Sequence, residues 1–211
     1  MNALIVCNGR IRDYSFYTRY ILQADLIVGV DGGAAHLKQL GVRPQILLGD
    51  FDSISPEDLA CYQASDTEII GFPAEKDMTD TELALNLAAD RGAKQIVIIG
   101  GLGTRLDHSL ANVFLLKMLL DRGVTGVIAD EYNEIHMIRD KILLHREEGA
   151  KVTLLPFSGN VEGVSTRGLY YPLDHATLPA GSSWGVSNEF VENTAEVTVQ
   201  NGLLLVIKSR D

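Results

Sequence analysis

Two acidic clusters set the chemistry open to this chain. Gly49-Asp50-Phe51-Asp52-Ser53 follows the apolar run Gln45-Ile46-Leu47-Leu48, and Lys76-Asp77-Met78-Thr79-Asp80 opens a strong helical pattern. Residues two apart on an extended strand face the same side, so an extended chain here would aim Asp50 and Asp52 at one point. Two carboxylates at the tail of a buried strand are costly unless something positive lies between them. Hard oxygen donors suit Mg²⁺, which is usually held by one or two carboxylates plus substrate phosphates. A lone Asp-x-Asp is ordinarily a solvated turn. The recurrence of acids at a second strand-to-helix junction points instead to a metal–phosphate site.

Three further clusters stand beside these. Asp31-Gly32-Gly33 ends an apolar run; its glycines let backbone N–H groups approach a phosphate or simply make a tight turn. Gly100-Gly101-Leu102-Gly103-Thr104-Arg105-Leu106-Asp107-His108 starts like a dinucleotide fingerprint, but Leu106 stands where the third glycine belongs. A phosphate-binding loop with Arg105 as charge partner fits better, since guanidinium pairs with phosphate oxygens. No P-loop signature occurs. Asp80 sits at a helix start, where Thr79 and Glu82 read as a capping box and the dipole favours a carboxylate. His108 and Asn112, four apart, share a helix face, and His108 is read as a binding group at most. Trp184, the only tryptophan, lies among serines and glycines before Ser187-Asn188, either as a loop staple or as a platform for an aromatic or cationic ligand.

The elements that must carry these residues fall into two patterns. Up to about Glu131, strand candidates at Ala3–Cys7, Leu26–Val30, Gln45–Leu48, Glu68–Phe72, Gln95–Ile99 and Gly126–Ala129 alternate with helix candidates. The helices are expected at Ser15–Gln23, Ala34–Leu40, Pro56–Ala64, Asp80–Arg91 and His108–Arg122, with Leu83, Leu87 and the alanines forming the inner face of the fourth. Such alternation implies a parallel sheet covered on both faces, with ligands outside the carboxyl ends of its strands. Every acidic or glycine-rich cluster above lies there. Residues 132–211 instead show short runs broken by Gly, Pro, Asn and Asp: Glu134–Arg139, Lys151–Pro156, Asn160–Ser165, Ser187–Phe190, Glu196–Gln200 and Gly202–Lys208. Asn201-Gly202 between the last two predicts a hairpin. The expectation is an α/β domain over 1–131 followed by an antiparallel β-sandwich or barrel over 132–211. The second part, about eighty residues, is small for a self-sufficient core and is expected to dock on the first, on a partner subunit, or both.

Composition excludes several classes. The 211 residues carry a net charge of −10 with no Lys/Arg-rich run, which argues against nucleic acid held by phosphate contacts. Hydrophobic residues make up 46% and mean hydropathy is +0.09, enough for a sizeable core, yet no run approaches a membrane span. Cys7 and Cys61 lack metal-ligand spacing, and Cys7 continues a buried strand. With no basic segment followed by a long apolar region at the start of the chain, the reading is a cytoplasmic protein in a reducing compartment.

Taken together, Asp31-Gly32-Gly33-Ala34, Gly49-Asp50-Phe51-Asp52-Ser53, Asp77-x-Thr79-Asp80, Gly100-Gly101-x-Gly103-x-Arg105-x-Asp107-His108 and Ser187-Asn188, in this order, closely resemble the thiamin pyrophosphokinase (thiamine diphosphokinase) family. The resemblance spans roughly Asp31 to Lys208. It implies a homodimer that transfers a pyrophosphoryl group from ATP to thiamine, yielding thiamine diphosphate and AMP. By position it implies Asp50, Asp52 and Asp80 as Mg²⁺ ligands, with Arg105 beside them in catalysis. Asp31, Gly32, Gly33, Lys76, Thr79, Arg105, Asp107 and His108 fall on the ATP side, and Ser187 and Asn188 on a thiamine pocket shared across the dimer. Trp184 has no matching position, and its contact with thiamine is a local reading. The residues do not distinguish which aspartate would accept the thiamine proton. Two rivals stay open: a nucleotide- or thiamine-binding sensor without turnover, and a Mg²⁺-dependent nucleotide hydrolase.

Overall fold

Five parallel pairings organise the first part of the chain. In the computed structural model, which describes all of Met1–Asp211, residues Met1–Glu131 and Tyr132–Asp211 form two compact units. The first runs β1 (Asn2–Val6), a 3-10 turn at Tyr14–Tyr17 leading into α1 (Thr18–Gln23), β2 (Leu26–Val30), α2 (Gly33–Gln39), β3 (Ile46–Gly49) and α3 (Pro56–Gln63). It continues with β4 (Glu68–Gly71), α4 (Asp80–Asp90), β5 (Gln95–Ile99), α5 (Leu106–Asp121) and β6 (Thr125–Ala129). The strands lie in the order β6-β5-β1-β2-β3-β4, all parallel. Both faces are covered, so the inner strands read as unbroken apolar runs: every residue of β2 is buried, and Leu4, Ile5, Val6 and Ile98 are at most 1% exposed. Strands and helices stand within a few residues of where the pattern puts them.

Local chemistry explains the helix starts. Ser55 Oγ accepts from the Asp58 N–H at 3.1 Å with Pro56 in the first turn, and Thr79 Oγ1 accepts from the Glu82 N–H at 3.2 Å. The inner face of α4 matches the expectation in Ala84 and Ala88 but not in its leucines. Ala84, Leu85 and Ala88 are fully buried while Leu83 and Leu87 are only partly so. The small alanines let the helix settle closely on the sheet, and the long leucines flank that contact.

The second unit is antiparallel. It comprises β7 (Asn133–Ile138), β8 (Lys141–His145), β9 (Lys151–Pro156), β10 (Val161–Arg167), β11 (Ala176–Leu178), β12 (Asn188–Glu189), β13 (Thr194–Thr198) and β14 (Leu204–Ser209). One set pairs in the order β12-β9-β14-β7, the other β11-β10-β13-β8. Their core joins Val152, Leu154, Val161, Val164, Ala195, Val197, Leu204 and Val206, each at most 1% exposed. The hairpin expected at Asn201-Gly202 is absent. β13 pairs with β8 and β10, whereas β14 pairs with β7 and β9. The turn instead carries the chain from one sheet to the other, pinned where Asn201 bridges Glu162. β8 and β11 escaped the pattern reading: β8 leaves Leu143 55% exposed, and β11 has only three residues.

Candidate active site

The carboxyl ends of β1, β2, β3 and β5 open into one cavity of about 550 Å³. Asp31, Asp50, Asp52, Lys76, Thr79, Asp80, Arg105 and His108 all line it. Gly32, Gly33 and Asp107 do not. A Cβ at Gly33 would sit 2.0 Å from the Val6 carbonyl oxygen, and one at Gly32 would meet the Asn8 side chain at 2.4 Å. These glycines therefore serve close packing of the chain on itself rather than contact with the cavity. Asp107 is turned to Arg105, which grips it through Nε at 3.2 Å and Nη2 at 2.6 Å on the exposed rim. That pairing stabilises both charges, holding the Asp107 carboxyl below its usual range. An anion entering the cavity would compete with Asp107 for the guanidinium.

Asp50 and Asp52 reach the cavity by a different route from the one expected. β3 stops at Gly49, and Phe51 adopts φ of 63°, so the two acids lie on a left-handed turn and not on an extended strand. Asp31 is left-handed as well, at φ of 45°. Backbone in this region costs on the order of 1–3 kcal/mol for a non-glycine residue and survives only where neighbours hold it. Here the two turns hold each other: Asp31 Oδ1 accepts from the Phe51 N–H at 3.2 Å. Gly49, at φ of 147°, must be glycine, because a Cβ would lie 1.7 Å from the same oxygen. Asp50 Oδ1 accepts from the Asp52 N–H at 3.1 Å, closing the turn.

Asp31 is thereby brought beside Asp80 and Asp50. Burial raises its pKa to about 6, against the Phe51 hydrogen bond, and the neighbouring Asp80 and Asp50 carboxylates push the same way as burial. Lys76 supplies the nearby counter-charge, its Nζ 2.9 Å from Asp80 Oδ1 and hydrogen-bonded to the Pro73 carbonyl at 3.0 Å. Lys76 is the ion-pair partner of Asp80 Oδ1, which is buried and has no further well-aligned hydrogen-bond donor. The crowded carboxylates Asp31, Asp50 and Asp80, with Lys76 as the nearby cation, are a donor set a hard divalent cation completes. No three His, Cys, Asp or Glu side chains gather as a ready-made metal cage. Mg²⁺ needs none, since phosphate oxygens and water fill its remaining positions.

Several cavity residues went unread in the sequence. Asn8 and Gly9 follow β1, and Thr81 and Ser109 come from α4 and α5; Cys7, read only as a core residue, and Asn112, read only as sharing a face with His108, line it too. The available signal was the strand-end rule itself, which applies to β1 as much as to β2 and β3. Asn112 Nδ2 donates to the Gly101 carbonyl at 2.7 Å, and Ser109 Oγ accepts from the Gly103 N–H at 3.0 Å, so α5 fixes the glycine loop before Arg105. Cys7 is no nucleophile: burial pushes its thiol up to about 11 despite a 3.6 Å contact with Thr81 Oγ1.

The second unit has its own cavity, about 300 Å³, lined by Leu154, Tyr171, Leu173, Leu178, Trp184, Gly185, Val186 and Asn188. Trp184 is 60% exposed and Tyr171 65%, so two aromatic rings remain open to a ligand. Ser187 is not part of the lining; its N–H donates to Thr153 Oγ1 at 3.0 Å, and its φ of 62° turns the chain towards Asn188. The Asn188 side chain is occupied: Nδ2 donates to the Tyr171 carbonyl at 2.8 Å, and Oδ1 accepts from the N–H groups of Tyr171 and Glu189. It shapes the cavity by holding Tyr171.

Two family descriptions match the chain: the thiamin pyrophosphokinase catalytic domain over residues 17–128 and the thiamin pyrophosphokinase vitamin B1 binding domain over 135–204. Thiamine pyrophosphokinase of Bacillus subtilis is 30% identical over 196 residues, covering 92% of each chain. A crystal structure of thiamine pyrophosphokinase from that organism superposes with a TM-score of 0.89 at 29% identity, covering 100% of both chains. That of thiamin pyrophosphokinase from Geobacillus thermodenitrificans gives 0.85 at 32% identity, covering 100% of this chain and 98% of the other. The matches to both units and the identity over nearly the whole length lead to one conclusion: the chain belongs to the thiamin pyrophosphokinase family.

Proposed function

We propose that this protein transfers an intact pyrophosphoryl group from ATP to the hydroxyethyl oxygen of thiamine, releasing AMP and thiamine diphosphate. The observation that carries the reading is the convergence of Asp31, Asp50, Asp52 and Asp80 with Lys76 and Arg105 on one cavity, in a chain of this family. The thiamine oxygen forms a bond to the β-phosphorus as the bond from that phosphorus to the bridging oxygen of AMP breaks, and AMP leaves with the electron pair. Such transfers depend on positioning and charge neutralisation more than on covalent help. Asp50, Asp52 and Asp80 would hold Mg²⁺, which when bound neutralises phosphate charge and polarises the phosphoryl oxygens. Lys76 and Arg105 add fixed positive charge, with Arg105 exchanging Asp107 for phosphate oxygens. The hydroxyl proton passes to a cavity carboxylate or to water.

On the same reading the first unit is a Rossmann-like catalytic domain and the second a β-sandwich that receives thiamine against Trp184 and Tyr171, since aromatic faces attract the thiazolium cation. The working form is a cytoplasmic homodimer whose thiamine pocket the neighbouring subunit completes. Both cysteines are unpaired, and no helix is long and apolar enough to cross a membrane.

The test is product analysis with ATP and Mg²⁺, with and without thiamine. AMP and thiamine diphosphate in equal amounts, only when thiamine is present, support the transfer. AMP without thiamine means a hydrolase, and no AMP at all means a binding protein. Sedimentation under assay conditions addresses the dimer: a fully active monomer removes that part of the proposal.

A further inference from the structure

The glycine-rich wall of the larger cavity is held by side chains from behind: Asn112 and Ser109 of α5 fix the Gly101–Gly103 stretch, and Gly9 has a separate support. Gly9, after β1, donates its N–H to the Gly100 carbonyl at 2.8 Å, and a Cβ at Gly9 would lie 2.3 Å from that oxygen and 2.4 Å from the Leu102 oxygen. The two backbone segments are thus pressed together, and both line the cavity. What fixes Gly9 from behind is a side-chain relay. His36 Nε2 lies 2.8 Å from the Gly9 carbonyl oxygen, and Tyr14 Oη lies 2.8 Å from His36 Nδ1. A carbonyl only accepts, so Nε2 carries the proton; Nδ1 of the neutral ring then accepts from the tyrosine hydroxyl. The rings also pack at 5.8 Å between centroids.

We propose that Tyr14 and His36 are positioning residues that set the distance between the glycine wall and the acid cluster of the nucleotide cavity. The relay starts from α2, the helix that follows directly on Asp31, and ends on the wall at Gly9. It therefore links the two sides of the cavity through one short helix. Neither residue lines the cavity, so neither touches substrate. A triphosphate that must engage metal-directed acids on one side and backbone N–H groups on the other senses that distance. Thiamine, held by the second unit, does not. The inference rests on the ATP reading above.

The test uses the full-length protein with Tyr14→Phe, His36→Ala, His36→Gln and His36→Asn. Mg–ATP affinity is measured by calorimetry without thiamine, alongside both KM values and the melting temperature. Loss of one hydrogen bond to the wall should weaken ATP binding roughly fivefold to tenfold in His36→Ala, and about twofold to threefold in Tyr14→Phe. Thiamine KM should stay within about twofold. Gln can place an N–H near the Nε2 position and should recover most of the affinity; Asn is too short and should behave like Ala. The relay is overturned if Gln, Asn and Ala behave alike, if both KM values rise together, or if ATP affinity is unchanged. Should the alanine variant fail to fold, Tyr14→Phe against the wild type decides by the same split. A wild-type protein that binds Mg–ATP but makes no thiamine diphosphate defeats the transferase reading while leaving the calorimetric test of the relay intact.

Discussion

The two units solve opposite problems. The first gathers charge at the ends of parallel strands, accepting strained turns at Asp31 and Phe51 and the crowding of Asp31 by Asp80 and Asp50 to do so. The second exposes aromatic rings over an apolar cavity and keeps its charges elsewhere, satisfied. Its buried Lys208 pairs with Glu134 at 2.9 Å and Glu147 at 2.7 Å, and Glu134 also accepts from His136 at 2.7 Å. Crowded, under-compensated acids serve a reaction that brings its own cations and phosphates; a fully paired cluster serves only the fold. The contrast separates residues whose loss costs activity from those whose loss costs stability.

The strongest way to break this comparison is at the acids. Asp50→Asn, Asp52→Asn and Asp80→Asn should each lower kcat by about 10²–10³-fold, because losing a metal ligand removes charge compensation in the transition state. The melting temperature of Asp50→Asn should stay level or rise, since the change relieves repulsion with Asp31, and that of Asp52→Asn should stay level, whereas Asp80→Asn also removes the partner of Lys76 and should lower it slightly. Melting temperatures that fall in step with activity would make the cluster structural.

Glu134 should behave the other way. Burial raises its pKa, but hydrogen bonds from His136 and Lys208 outweigh that and bring it to about 2, against an ordinary value of 4.5. A carboxylate depressed in the folded state contributes stability above its unfolded pKa and loses it as pH falls from about 4.5 towards 2. Glu134→Gln should cost on the order of 2–3 kcal/mol at neutral pH and flatten the stability profile over that window. A chemical-denaturation series from pH 7 to 2 measures both; an unchanged acid limb would remove Glu134 from the account. kcat at neutral pH should be nearly normal.

Trp184→Ala gives the smallest and most selective effect. Loss of a cation–aromatic contact should raise the thiamine KM roughly fivefold to tenfold and leave the ATP KM alone. Equal shifts in both constants would erase the division of labour between the units.

The residues that carry these predictions were legible in the sequence to different degrees. Asp50, Asp52, Lys76, Thr79, Asp80, Arg105 and His108 could be picked out because strand ends and helix starts are punctuated locally, and the structure does bring them to one cavity. The Thr79 cap needs only Glu82, three residues on. The burial of Asp31 beside Asp80 and Asp50, and the resulting rise in its pKa, was not legible. Nor were the share of Asn8 and Gly9 in the wall, the leucine on the inner face of α4, or the sheet switch at Asn201-Gly202.

The amino-acid sequence by itself determined the alternation of strands and helices, the change to antiparallel runs after Glu131, and the chemical character of each strand-end turn. These follow from periodicity and capping, which act within about four residues. Only the tertiary structure decided which turns meet. Asp31 and Phe51 are 20 residues apart, Tyr14 and His36 22, and His36 and Gly9 27. Left-handed backbone at a non-glycine residue is unfavourable in isolation and appears only where such distant partners hold it. The asparagine–glycine turn makes the same point in the second unit: its local preference for reversing the chain is real, but burying β13 and β14 in separate sheets outweighs it, because the core and not the turn chooses the pairing.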